Sequence, residues 1–320
     1  MRSLQFGLQL HARSEGDPAT TPFPSHRLMM EDGVRAERIG FDSVWLPDHF
    51  YFSQPGGLVT FPDVWTLLTA IAVKTDRILL GTDVLAATFR HPALLAKMAG
   101  AVQELSGGRL ILGIGAGNQI HEHTAFGLDF DHRIGRFKEY VPILVGLLKG
   151  ETITFNGRYY TLHDASLRTV VPHVPVWLAS GGPQMHSLTA RYATGWNIAG
   201  GRDAPAIAQK RSEFAAACEA VGRDVNDFDV CKLSFLAIAA DDAGARHLLD
   251  ELATKSNQSP EAVAARMVVG TPDTIAAHLR SITDAGVNHH MLSVADSEQW
   301  PDYFDAVELL HSEVLPRIRD

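Results

Sequence analysis

Eight short β-rich runs alternate with longer helical patterns along this chain, and that alternation limits the fold more than any single motif. The runs are Leu4–Leu10, Ser43–Leu46, Ile78–Val84, Leu110–Ile114, Val176–Ala179, Gly195–Ala199, Val230–Ala237 and Val287–Val294. Between them lie segments such as 91–105, where Leu94, Leu95, Met98, Val102 and Leu105 recur at helical spacing. Pro92 suits a first helical turn, and Ser106-Gly107-Gly108 ends that helix. Strands alternating with helices make βαβ units and a parallel sheet. Eight strands close a barrel, so the expected fold class is α/β, a (β/α)8 barrel of the TIM type with insertions in the loops after strands. A doubly wound open sheet is the alternative. A barrel of this type takes about 250 residues, and the 320 present leave room for insertions. No Pro/Ser/Gly-rich linker divides the chain, so residues 1–320 are expected to form one domain.

Two insertions stand out. Residues 152–162 read as a hairpin around Asn156-Gly157, a pair that favours a type I′ turn. Residues 118–133 form a polar loop after the fourth strand, on the face where barrels keep their chemistry.

Charge and cysteines exclude whole classes. A net charge of −9 argues against a nucleic-acid partner. Cys218 and Cys231 are too far apart for a Cys-x-x-Cys motif, so both are expected as free thiols in a reducing cytoplasm. No signal peptide or membrane-spanning stretch is read, so no membrane association is expected. Neither Gly-x-Ser-x-Gly nor Gly-x-x-x-x-Gly-Lys occurs, which removes two large enzyme classes.

Several strand ends carry candidate chemistry. Ser180-Gly181-Gly182-Pro183 joins the fifth strand to a helix. Glycines admit a ligand close to the backbone, and a helix start offers free N–H groups, which together suit a phosphate. The other reading is an ordinary strand-to-helix turn. Asp48-His49 ends the second strand, where an imidazole can exchange protons; a satisfied surface pair is the alternative. Asp83 and Val84 end the third strand, where Asp83 can point into the mouth, and Leu85 leads into Ala86 and Ala87, whose small side chains leave space for a flat ring or merely for packing. Gly113-Ile114-Gly115-Ala116-Gly117-Asn118 lacks the spacing and the following helix of a dinucleotide fingerprint, so Gly115, Gly117 and Asn118 read instead as a close approach to a ligand. His121-Glu122-His123 raises a remote metal-dependent hydrolase, using His121 and His123 with Asp48 or Asp83. No partner cluster with ligand spacing supports it, and no metal is expected. His289-His290 lies on the last strand, where only one of the two can face inward. Arg133 and Arg136 open a helix, either as a solvated face or toward an acidic cofactor tail or substrate.

These residues together resemble the bacterial luciferase-like group of flavin- and deazaflavin-dependent oxidoreductases. The resemblance runs through Phe6-Gly7-Leu8-Gln9, Gly40-Phe41-Asp42-Ser43-Val44-Trp45 with Asp48-His49, Thr88-Phe89-Arg90-His91-Pro92 and Leu105-Ser106-Gly107-Gly108-Arg109-Leu110. It continues through Gly181-Gly182-Pro183, Gly195-Trp196-Asn197 and Gly270-Thr271-Pro272, covering nearly the whole chain. It implies a ring held at the strand ends, a non-proline cis peptide at Asp83–Val84 and a phosphate on Gly181 and Gly182. It places His49 where the deazaflavin branch has a proton-handling residue, and Asn118 where that branch's sugar-phosphate dehydrogenases place a glutamate. Coenzyme F420 is the implied cofactor, with FMN and two-component monooxygenation as the alternative. The expected assignment is His49 and Asp48 on the substrate side, with Ser180, Gly181 and Gly182 on the phosphate. A small-molecule substrate and a homodimer are expected. A non-enzymatic flavin-binding barrel is the third reading.

Overall fold

The computed structural model describes residues 3–13, 24–54, 57–167, 173–300 and 302–319. Eight strands form the centre: β1 (Gln5–Gln9), β2 (Ser43–Leu46), β3 (Leu79–Thr82), β4 (Leu110–Gly115), β5 (Val176–Ser180), β6 (Gly195–Ile198), β7 (Asp229–Ile238) and β8 (His289–Val294). Each pairs in parallel with the next in sequence, and β8 returns to β1. The sheet is therefore a closed (β/α)8 barrel, as the alternation predicts. Strand ends differ from the sequence reading by at most two residues.

Two tryptophans fill the barrel. The rings of Trp45 on β2 and Trp177 on β5 lie 5.3 Å apart, and His289 on β8 meets both edge-on. Neighbouring strands make room for them with glycine. A Cβ on Gly81 would stand 2.1 Å from the Trp45 ring, and one on Gly195 would stand 2.4 Å from Trp177. Ile111, Cys231 and Met291 complete this inner cluster. The interior is thus packed, and a ligand must sit above it, at the carboxyl ends of the strands.

Strand β3 ends in a bulge. The Asp83–Val84 peptide is cis, as the resemblance implies, and Leu85–Ala86 then rejoins the sheet beside Ile114 and Gly115 of β4. His289 and His290 are both buried and divide as alternation requires. His289 bonds Ser43 inside the barrel, while His290 stacks on Phe6 and bonds Thr283 in the helix layer.

Three features correct the sequence reading. The Asn156-Gly157 hairpin pairs Ile153–Asn156 with Thr161–Ala165, so Asn156 opposes Thr161 and four residues, 157–160, form the loop. No type I′ turn forms there, since neither Asn156 nor Gly157 takes a positive φ, and Glu139 of the preceding helix accepts the N–H groups of Arg158, Tyr159 and Tyr160 and braces the wider loop. The segment after β4 contains a short helix, Ile120–Ala125, where the sequence suggests only loop. An antiparallel hairpin, Tyr51–Gln54 with Gly57–Thr60, follows β2 and has no counterpart in the sequence reading. No described helix is long and apolar enough to cross a membrane.

Candidate active site

The mouth of the barrel is built on Asp48, His49 and the bulge after β3. Strand β2 delivers Asp48 and His49 as its first residues beyond Pro47. Asp48 is buried and accepts two hydrogen bonds from Arg90, at 2.6 and 3.0 Å, and a third from the Ala86 amide at 3.2 Å. Burial pushes its carboxyl up from the usual range, and Arg90 opposes that shift. All of this ties β2 to the segment after the bulge. Among the described residues, the hydrogen bonds to Asp48 come from Arg90 and Ala86.

His49 has a different partner. Its Nδ1 lies 2.6 Å from Oε1 of Glu122, whose other oxygen accepts the Phe50 amide at 2.7 Å. Glu122 is fully buried. A carboxylate only accepts hydrogen bonds, so in this contact Nδ1 is the donor, and the ring is held by its Nδ1 edge. A buried carboxylate placed in this way can orient a histidine for proton transfer.

The helix Ile120–Ala125 disperses the three residues that sequence spacing offers as metal ligands. Glu122 turns to His49. His123 bonds Thr88 at 2.7 Å and the Gln119 carbonyl at 2.7 Å. His121 lies beside the Tyr51 ring. Among the described residues no His/Cys/Asp/Glu group stands ready for a metal.

Asp83 bridges the mouth. Its carboxylate accepts from Gln9 of β1 at 3.0 Å and from Asn197 of β6 at 2.8 Å. Burial raises its pKa, and the Asn197 hydrogen bond, the Lys232 charge and the Gln9 hydrogen bond work against the rise. Two polar neighbours thus hold the bulge from opposite sides of the barrel. Across the floor of the bulge, a Cβ on Gly115 would come within 3.0 Å of Val84. Gly117 adopts a positive φ of 85°, open mainly to glycine. Asn118 follows it at the edge of the mouth.

The Ser180-Gly181-Gly182 turn divides by residue. The Ser180 hydroxyl is buried against Nδ1 of His186 at 3.0 Å, on the helix side of the sheet, so its side chain is not available to a ligand at the mouth. Gly181 is tight, since a Cβ there would stand 2.8 Å from the Ala199 carbonyl. Gly182 is open, with nothing within 4 Å of an added Cβ. Gly182 also caps the helix Pro183–Tyr192 without any side-chain hydrogen bond. The Lys210 ammonium reaches the Gly181 carbonyl at 3.3 Å. A bare helix start, two glycines and a lysine make a ready anion cradle.

An apolar wall stands beside His49. Phe50 stacks on Phe126 at 4.2 Å and leans on Phe89 at 4.9 Å. The sequence reading gives this wall no role, and it names Glu122 only as the middle of the His121-Glu122-His123 trio.

Comparison with known proteins places the chain among luciferase-like enzymes. A family model described as luciferase-like monooxygenase matches residues 4–289. An F420-dependent glucose-6-phosphate dehydrogenase from Amycolatopsis mediterranei is 31% identical over 92% of this chain and 95% of its own. One from Kineococcus radiotolerans is 33% identical over 83% of this chain and 86% of its own. Among solved structures, an F420-dependent secondary alcohol dehydrogenase superposes with a TM-score of 0.83 at 20% identity, covering all of both chains. The EDTA monooxygenase of Chelativorans superposes with a TM-score of 0.78 at 18% identity, covering 99% of this chain and 94% of its own.

Proposed function

The chain belongs to the luciferase-like monooxygenase family, and from that premise we propose that it is an F420-dependent oxidoreductase interconverting an alcohol and a carbonyl on a small organic substrate. The observation that carries the proposal is the His49–Glu122 pair, 2.6 Å apart at the mouth of the barrel. Removing hydride from an alcohol carbon requires that the hydroxyl lose its proton, and an oriented histidine beside the hydride site does this. The relatives named F420-dependent glucose-6-phosphate dehydrogenases support the cofactor class.

The residues present fit such a cofactor. The bare helix start at Gly182 and the tight Gly181 turn suit its phosphate. The bulge Asp83–Ala86 and the strand end Gly115, Gly117 and Asn118 would back its ring. When bound, F420 supplies a two-electron hydride acceptor or donor with little useful oxygen chemistry.

In this reading the protein's own groups do the rest. Glu122 holds the proton on Nδ1 of His49. Nε2 takes the substrate's hydroxyl proton as its carbon–hydrogen bond is lost and the carbonyl forms, and returns it in the reverse direction. Asp48 and Arg90 fix the segment that carries His49. Phe50, Phe89 and Phe126 keep water from the apolar side of the substrate. Asn118 occupies the place of a glutamate in the sugar-phosphate branch. Glu122 stands four residues on and brings a carboxylate to His49 instead, which directs the proposal to alcohols in general rather than to one sugar phosphate.

The second reading is an FMN-dependent monooxygenase, favoured by the family description and by monooxygenases among the solved relatives. Equilibrium titration of purified apoprotein with F420 and with FMN separates them. Micromolar or tighter binding of F420 with weak FMN binding is expected. Tight binding of FMN alone would replace the first reading with the second, and binding of neither would refute both.

A further inference from the structure

A cavity of about 240 Å³ opens at the head of the helix Arg133–Leu148, next to the cofactor-backing segment. Arg90, Arg133 and Arg136 all line it, together with Thr88, His91 and Tyr160. The three guanidinium groups are not equivalent. Arg90 is committed to Asp48, with Asp63 also 3.6 Å away. Arg136 pairs with Asp129, yet its Nε is buried without a hydrogen-bond partner among the described residues. Arg133 forms no ion pair among the described residues. Its Nε donates to the Gly117 carbonyl at 3.1 Å, and its guanidinium lies 4.4 Å over the Phe130 ring. Among the described residues, the cavity is thus lined by one guanidinium with no carboxylate partner, Arg133, and by a second, Arg136, whose hydrogen-bonding capacity is only partly used.

The helix start adds to this field. His132 caps it with a φ of 56° and no side-chain hydrogen bond. Among the described helices of eight residues or more, only this one and Pro183–Tyr192 lack a side-chain cap. The second is the cradle assigned above to the cofactor phosphate. The two helices follow the adjacent strands β4 and β5, so their bare starts share one rim of the mouth.

We propose that this cavity is a second anion subsite that holds a carboxylate of the glutamyl tail of F420, the part of that cofactor which FMN lacks. The inference rests on the F420 reading and extends it. Packed helices stand about 8–10 Å apart. A tail leaving a phosphate on Gly181-Gly182 covers that span with two or three extended residues at about 3.5 Å each. The cavity is smaller than the roughly 300–1,000 Å³ of a site for a whole ligand, and it suits one carboxylate on a short methylene arm. Arg133, an arginine rather than a lysine and without an ion-pair partner among the described residues, matches a planar, two-oxygen anion.

The test is fluorescence titration of two ligands, F420 with its glutamyl tail and the same deazaflavin truncated at its 5′-phosphate. The wild-type protein should bind the full cofactor on the order of tenfold more tightly at low ionic strength, and the gap should narrow as salt is raised. Arg133→Gln should erase the gap by weakening only the full cofactor, and Arg133→Lys should restore part of it. The truncated ligand reports any damage to the Gly117 turn, because it needs that turn but not the cavity. Equal weakening of both ligands, or of neither, overturns the tail assignment while leaving the F420 reading intact. A wild-type protein that binds neither ligand refutes the F420 reading, and this inference falls with it.

Discussion

Replacing Glu122 by Gln tests the site more sharply than removing His49. The side chain keeps its size, and its carbonyl oxygen can still accept the Phe50 amide now bonded at 2.7 Å. That choice turns the new –NH2 group toward Nδ1 of His49, 2.6 Å away in the native arrangement. The amide donates where the carboxylate accepted. The neutral imidazole must then accept at Nδ1 and carry its proton on Nε2, so it cannot take a proton from substrate. The same change in a serine-protease triad costs about 10⁴ in kcat, and general base catalysis contributes about 10² to 10⁴. Here kcat should fall by about 10² to 10³, or roughly 3–4 kcal/mol of barrier at 1.36 kcal/mol per tenfold. KM and the cofactor Kd should stay within about twofold of wild type, on the ground that Glu122 touches neither ligand. The assay is steady-state turnover followed by deazaflavin absorbance, paired with ¹⁵N shifts of the His49 ring, which distinguish the two tautomers. Glu122→Asp keeps the charge and should retain more activity than Glu122→Gln. A Glu122→Gln enzyme with a kcat within threefold of wild type, or with its Nδ1 proton still in place, would refute the orienting role.

Three further outcomes follow from the geometry. Gly182→Ala adds a methyl that meets no protein atom within 4 Å, so its Tm should match wild type while cofactor affinity falls at least tenfold; unchanged affinity by titration would remove Gly182 from the cradle. Gly81→Ala places a Cβ 2.1 Å from the Trp45 ring, an overpacking that should cost about 1–3 kcal/mol or more in urea denaturation, and a neutral result would contradict the packed interior. Burial lowers His290 and His289 to about 3 from the ordinary 6.5, so the unfolded chain binds more protons than the native one between those values. Stability should be complete above about pH 6.5 and decline as pH falls toward 3, at up to roughly 1.4 kcal/mol per pH unit for each ring. Urea midpoints at pH 7 and pH 5 should show this decline, and His290→Gln should lessen it; an equal slope in that variant would count against the assignment.

The parts of this protein legible in its sequence are those fixed by local periodicity. Each barrel strand is a short apolar run bounded by a helix signal, and the closure of eight such units leaves little freedom in their order. The glycines at 7, 81 and 195 were legible as residues but not as partners of Trp45 and Trp177, because that complementarity exists only across neighbouring strands. The hairpin at 156–157 failed for a related reason. Its dipeptide favours a two-residue turn, yet Glu139, well upstream in sequence, offers a carboxylate to three amides and braces the wider loop.

Glu122 shows the same limit at the site itself. In sequence it lies between two histidines, and the trio reads as possible metal ligands. Successive helical residues point about 100° apart, so even the single short helix Ile120–Ala125 sends the three side chains to different neighbours. A pattern of only six residues is too short for its buried face to register as periodicity. The signal that was present is chemical: a proton-handling histidine at the end of β2 needs an acceptor for its second nitrogen, and the insertion expected over the mouth holds few carboxylates. Asp129 is taken by Arg136, which narrows that choice further. Glu122 answers the demand that Asn118 leaves open, and its separation from the expected position is why the proposed proton transfer rests on the His49–Glu122 geometry rather than on the motif.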